Sequence, residues 1–133
     1  MEAKIIDLTR IYDHRGNLSV VEQYKDVPFE IKRVYWTYDV PGGESRGGHA
    51  HIAQKEFIVA ASGSFTVSVE NGNEQESFFL NHPYKGLYIP EGIWRSLHDF
   101  SSGAVCLVMA SDYFQEEDYI RDYQEFLRYK GKR

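Results

Sequence analysis

Turn signals set the rhythm of this chain. From Lys4 to Ala110, short runs of alternating apolar and polar residues are broken by Gly, Pro or Asn-Gly roughly every eight to twelve residues, a pattern that predicts an all-β sandwich or barrel. In FTVSVE, Phe65, Val67 and Val69 alternate with Thr66 and Ser68, so one strand face is apolar. Asn71-Gly72 follows at once, a dipeptide suited to a hairpin turn. KIIDL and LSVVEQ flank the turn DHRGN, FEIKRVYWTYDV reads as a full strand broken by PGGES, and ESFFL, GLYIP, IWRSLHDF and AVCLVMA continue the series. Past Ala110 the period changes. Tyr119, Tyr123, Phe126 and Leu127 fall four and three apart, with acids before and bases after, which predicts an amphipathic C-terminal helix over about 115–129.

A chain of 133 residues can bury a core without disulfides, and no repeat or linker divides it, so one domain over 1–133 is expected. Ten Tyr, eight Phe and two Trp suit strands and pockets that hold rings. The net charge is -5, and the bases are scattered apart from the tail RYKGKR, read as a solvated terminus; nucleic-acid binding needs a basic face and is not expected. The start MEAKIIDLTR is not leader-like and no apolar run reaches membrane length, so a cytoplasmic protein with no membrane contact is expected. Cys106, inside AVCLVMA, reads as a buried core thiol.

Chemistry concentrates in GESRGGHAHIAQKEFIVAASG. On a strand, His49 and His51 face the same side. The wider pattern Gly43-x5-His49-x-His51-x4-Glu56-x6-Gly63 reproduces the first motif of the cupins, double-sheet jelly-roll barrels, and PEGIWRS carries the Pro90-x-Gly92 core of their second motif. Where a metal cupin has its last histidine, this chain has Arg95. A guanidinium stays protonated and cannot ligate a cation. His98, three residues along, falls on the opposite strand face. His49, His51 and Glu56 still allow a three-ligand metal site, a metal-free acid–base pocket or a structural cluster; the charge of Arg95 favours the metal-free pocket. Histidines titrating near neutrality beside fixed donors such as Tyr35, Arg46, Arg95 and Arg15 suit proton abstraction next to a carbonyl, and the arginines suit a diphosphate.

DHRGNLSVVEQ, IKRVYWTYDVPGGESRGGHAH, GLYIPEGIWRSLHDFSS and LVMASDYFQEEDYIRDYQEF together resemble the dTDP-sugar 3,4-ketoisomerases, cupin enzymes of deoxysugar biosynthesis, across almost the whole chain. The resemblance implies dTDP-4-keto-6-deoxy-D-glucose as substrate, movement of its ketone from C4 to C3 through an enediol, no metal or other cofactor, and a homodimer with exchanged N-terminal strands. It implies His49 as base, His51 as its proton-relaying partner and Tyr35 as a hydrogen-bonding group near C3 and C4. Arg46, Arg15 and Arg95 are assigned to substrate binding, with Trp94 and Tyr88 as candidate thymidine contacts. Tyr35 can also be read as a core ring, Arg33 on the same strand face as the functional residue in its place, and Glu56 as orienting Arg95 or a histidine or as having no role. His14, His82 and His98 read as turn or surface residues. The rival functions are a nucleotide-sugar 3,5-epimerase, a sugar-binding cupin without turnover and an oxygen-using metal cupin.

Overall fold

A computed structural model of the chain describes residues 1–132; Arg133, the end of the basic tail, lies outside them. The predicted strands form an antiparallel double sheet. One sheet has the order β1 (Lys4–Asp7), β9 (Lys85–Ile89), β6 (Glu56–Ser62), β11 (Val105–Ala110) and β4 (Arg33–Thr37). The other has the order β12 (Tyr119–Ile120), β5 (Arg46–His51), β10 (Trp94–His98), β7 (Phe65–Glu70) and β8 (Gln75–Leu80). A small hairpin, β2 (Arg10–Ile11) with β3 (Leu18–Ser19), stands apart as an arm, so LSVVEQ supplies only a two-residue strand. This is the all-β jelly roll that the cupin motifs imply.

The two-residue period sorts side chains between the inside and outside of the barrel. Ile58, Phe65, Val67, Leu87, Ile89 and Val108 point inward and form the main core. Each such side chain, fully buried, contributes about 1.5–3 kcal/mol of transfer free energy. On the outer face of the first sheet, Phe57, Val59 and Met109 are covered by Leu8, Val27 and Phe29. FEIKRVYWTYDV therefore divides: Phe29 packs across the sheet, and only Arg33–Thr37 pair within it. Between β6 and β7 the chain turns at Gly63 with φ +66°, where a Cβ would stand 2.8 Å from the Ala104 Cα. Asn71 closes the next hairpin with its side chain, accepting from the backbone N–H groups of Asn73 (2.9 Å) and Glu74 (2.8 Å).

The C-terminal helix is shorter than its sequence pattern predicts. Residues Glu116–Asp118 make a 3-10 turn, β12 pairs with β5, and only α1 (Tyr123–Tyr129) is α-helical. Pairing of Tyr119 with His51 and of Ile120 with Ala50 overrides the helical pattern there. Asp122 then caps α1, accepting from the Gln124 N–H at 2.9 Å. Phe126 and Ile120 pack on Ala50, on the outer side of the strand that carries the histidines. The basic tail is partly docked, since Lys130 Nζ donates to the Gly92 carbonyl at 3.1 Å.

Candidate active site

Five strands aim polar side chains into one end of the barrel. β5 supplies Arg46 and His49, β4 supplies Arg33 and Tyr35, β6 supplies Glu56, β10 supplies Arg95 and β11 places Cys106 at the floor; together they line a cavity of about 330 Å³. Alternation explains all but one placement, because the neighbours Ala50, Val34, Phe57 and Trp94 point the other way. Arg46, three residues from His49, reaches the same face because β5 bulges between them, with Gly47 at φ +76° and a register shift against β10. Arg95, Glu56 and His51 are each at most 1% exposed.

The His49 and His51 rings meet edge-on, with their Nε2 atoms 3.1 Å apart. His51 Nδ1 lies 3.0 Å from the Asp118 carboxylate. Glu56 is the hub of the buried network. It accepts from Arg95, from the Tyr35 hydroxyl (2.9 Å) and from the Gln54 amide (2.8 Å). Arg95 also donates to the Ile93 carbonyl at 3.1 Å, which fixes the guanidinium plane. The Nε–H groups of Arg33 and Arg95 are buried with no acceptor among the described residues.

These contacts set the charges. Burial, then the Arg95 charge and His51, push His49 down to about 3, so its ring is neutral at neutral pH. Burial works to raise Glu56, but Arg95 and the two histidines outweigh it and hold the carboxyl below its usual range. Burial and the neighbouring Glu56 charge raise the Tyr35 hydroxyl, which therefore keeps its proton. Burial likewise pushes the Cys106 thiol up to about 12, too high for a nucleophile.

His49, His51 and Glu56 offer ligand atoms within 4.8 Å of one another, close enough to hold a metal ion. Their chemistry fits one poorly. Glu56 is already committed to three donors, one of them the Arg95 guanidinium, so an added cation would face a buried positive charge at contact distance.

The structure brings His49, His51, Tyr35, Arg46 and Arg95 to the same end of the barrel. It does not bring the other three predicted residues there. Trp94 lies beside Arg95 on the outer face, against Tyr123 and Phe126 (ring centroids 5.4 and 5.8 Å). Tyr88 also points outward, stacked on Phe29 at 6.2 Å. Parity excludes both, since Trp94 is adjacent to the inward Arg95 and Tyr88 to the inward Leu87 and Ile89. Arg15 sits on the arm, bonded to the Asp13 carboxylate at 3.0 and 2.9 Å and outside the cavity of its own chain.

Sequence reasoning missed Asp118, Gln54, Tyr119 and Arg121. Tyr119 and Arg121 line the cavity mouth, the Arg121 guanidinium lying 4.2 Å over the Tyr119 ring. Asp118 and Tyr119 were hidden by the helical reading of their segment. Gln54 had no signal, being a lone amide in a turn.

Barrel and pocket define a cupin whose acid–base cage is closed by a guanidinium. The chain belongs to the FdtA family, described as WxcM-like, C-terminal, which matches residues 1–131. It is 44% identical over 132 residues, 99% of this chain and 95% of the relative, to the TDP-4-oxo-6-deoxy-alpha-D-glucose-3,4-oxoisomerase of Aneurinibacillus thermoaerophilus. A 3,4-ketoisomerase from Helicobacter canadensis superposes with a TM-score of 0.96 at 41% identity, covering 98% of each chain. The 3,4-ketoisomerase QdtA of Thermoanaerobacterium thermosaccharolyticum, as a histidine variant in complex with TDP-4-keto-6-deoxyglucose, gives 0.94 at 36% identity, over 98% of this chain and 95% of that one.

Proposed function

We propose that this protein is a sugar-nucleotide 3,4-ketoisomerase that converts dTDP-4-keto-6-deoxy-D-glucose to a 3-keto isomer. The supporting observation is a neutral His49 in contact with His51, in a pocket whose fixed charge is the Arg95–Glu56 pair. A C–H next to a ketone is acidified by that carbonyl, and a base that is unprotonated at neutral pH can remove it. His49 takes the C3 proton, the electron pair forms the C3=C4 bond, and O4 takes a proton to give the enediol. O3 then gives up its proton as the ketone forms at C3, and C4 receives one; no atom or electron is gained overall. His51 relays the second proton, and Tyr35 hydrogen bonds the sugar. Metal-free acid–base chemistry is our reading because the guanidinium takes the carboxylate that a cation would need.

Arg46, Arg33 and Arg121 at the mouth suit the diphosphate, the last two with aromatic rings beneath them. We assign Arg15 to the site of a partner subunit in a homodimer with exchanged N-terminal arms. In support, the arm exposes Ile11 (54%) and Leu18 (56%), and β4 has a free edge with Trp36 57% exposed beside it. Among the described residues no helix is long and apolar enough to cross a membrane. The one cysteine is free and buried, so nothing requires an oxidising compartment, and we place the enzyme in the cytoplasm.

Incubation with dTDP-4-keto-6-deoxyglucose in deuterated water tests the reaction. The expected result is a 3-keto product with deuterium at C4. A ketone still at C4, with label and inversion at C3 or C5, would instead establish a 3,5-epimerase.

A further inference from the structure

A chain of donors and acceptors fixes where every proton of the histidine pair sits. Asp118 is held against the exit of β5 by backbone and side chain alike. Its carbonyl accepts from the Ile52 N–H at 2.9 Å, and its carboxylate accepts from the N–H groups of Ala53 (2.8 Å) and Gln54 (3.2 Å). The third partner of that carboxylate is His51 Nδ1 at 3.0 Å. An ionised carboxylate can only accept, so Nδ1 carries the proton and a neutral His51 presents a lone pair at Nε2. The His49 Nε2 atom 3.1 Å away must then be the donor. That leaves the lone pair of a neutral His49 on Nδ1.

A second contact, on the other side of the ring, agrees with this assignment. Arg33 can only donate, and its guanidinium bonds Gln54 Oε1 at 3.2 Å, which turns the Gln54 amino group toward Glu56 (2.8 Å) and His51 Nε2 (3.4 Å). The amino group is the nearer of the two groups facing Nε2, ahead of the Glu56 oxygen at 3.5 Å, and it calls for an acceptor there.

We infer that Asp118 is a positioning residue that locks His51 in its Nδ1–H tautomer, so that His51 Nε2 is the proton acceptor for His49. When His49 Nδ1 takes the substrate proton, the Nε2–H of His49 passes to His51 Nε2. His49 returns to neutrality and the charge arrives on a ring flanked by the Asp118 and Glu56 carboxylates. The return proton follows the same line in reverse, after the Nδ1–H of His49, which borders the cavity, has exchanged with solvent. The kinetic consequence rests on the ketoisomerase reading; the tautomer does not.

Asp118→Asn separates the two roles. The shorter Ala53 contact (2.8 Å) retains the side-chain oxygen against the Gln54 N–H (3.2 Å), so the amide NH2 faces His51 Nδ1 and demands the opposite tautomer. In long-range 1H–15N spectra of the histidine-labelled full chain, wild-type His51 is expected to show a protonated Nδ1 and a bare Nε2, and Asp118→Asn to exchange them. A wrong tautomer of this kind costs about 10^4-fold in kcat elsewhere, and a loss of that order is expected here with KM changed only a few-fold and dTDP affinity by calorimetry intact. A protonated Nε2 in the wild-type spectrum, or an Asp118→Asn enzyme within tenfold of wild-type kcat, overturns the inference. The wild-type spectrum decides even if the variant fails to fold. A wild type with the stated tautomer and no ketoisomerase turnover refutes the reaction and leaves the positioning role standing.

Discussion

The two halves of the pocket are built on different physics. The deep half, His49, His51, Glu56 and Arg95, sits on strands in register, is largely buried and is bonded to itself. The outer half is a set of exposed or half-exposed arginines, Arg33, Arg46 and Arg121, of which Arg121 is paired with its own neighbour Glu116. In the deep half the ion pair is buried and each charge has a strong fixed partner. At the rim the pairs are screened and worth little, so the arginines can be recruited by a ligand's charge. On the proposed function, the acid–base geometry is preset and anion capture is left adjustable.

The largest way to break the comparison lies in the deep half. His49→Ala removes the base and is expected to lower kcat by about 10^2- to 10^4-fold while dTDP affinity, read by calorimetry, is kept. A loss of affinity matching the loss of rate would merge the two halves. Arg95→Met leaves Glu56 buried without its cation and is expected to cost about 3–5 kcal/mol in urea unfolding, with partial recovery in the Arg95→Met/Glu56→Gln double variant. A cost under about 1 kcal/mol would show that the pair is solvated.

Acid weakens the deep half in a defined direction. The folded-state value for His49 is about 3, below its ordinary 6.5, so as pH falls the unfolded chain takes up the proton first. Stability is therefore full above about pH 6.5 and declines toward pH 3 by at most about 1.4 kcal/mol per pH unit for this one group. Glu56, also held below its ordinary value, adds to the loss once pH falls beneath the usual carboxylate range. A urea midpoint that does not change between pH 7 and 5 would contradict a neutral, buried His49.

The rim predicts a test between subunits. Arg15→Ala and His49→Ala should each be nearly inactive alone, yet coexpressed heterodimers should recover part of the activity, since one of their two sites then has both residues. No recovery would place Arg15 in the site of its own chain. The smallest effect is expected outside the barrel: Tyr88→Phe should leave KM within about twofold and stability within about 0.5 kcal/mol.

The deep half was also the legible half. Alternation on β5 and β6, together with the spacing of His49, His51 and Glu56, is a local property of strands that survives folding unchanged. Arg95 reads in the sequence as a charge where a cation would sit, and in the structure that charge is paired with Glu56. What escaped was set by tertiary pairing. The acids before Tyr119 look like the start of a helix, but the edge of β5 captures that segment and turns Asp118 onto His51. Arg15 lies in a turn between two-residue strands, where no register carries its side chain to a known place. That Trp94 and Tyr88 lie outside the cavity was legible, because their immediate neighbours already occupy the inner face.

Asp118 follows all the long barrel strands in chain order. During synthesis the β-framework can therefore close and bury its apolar interior while His51 still lacks the partner that orients it. Competence for turnover then arrives as a separate, later event, and a proteolytic nick after Ser111 would leave a well-packed shell with no working chemistry inside.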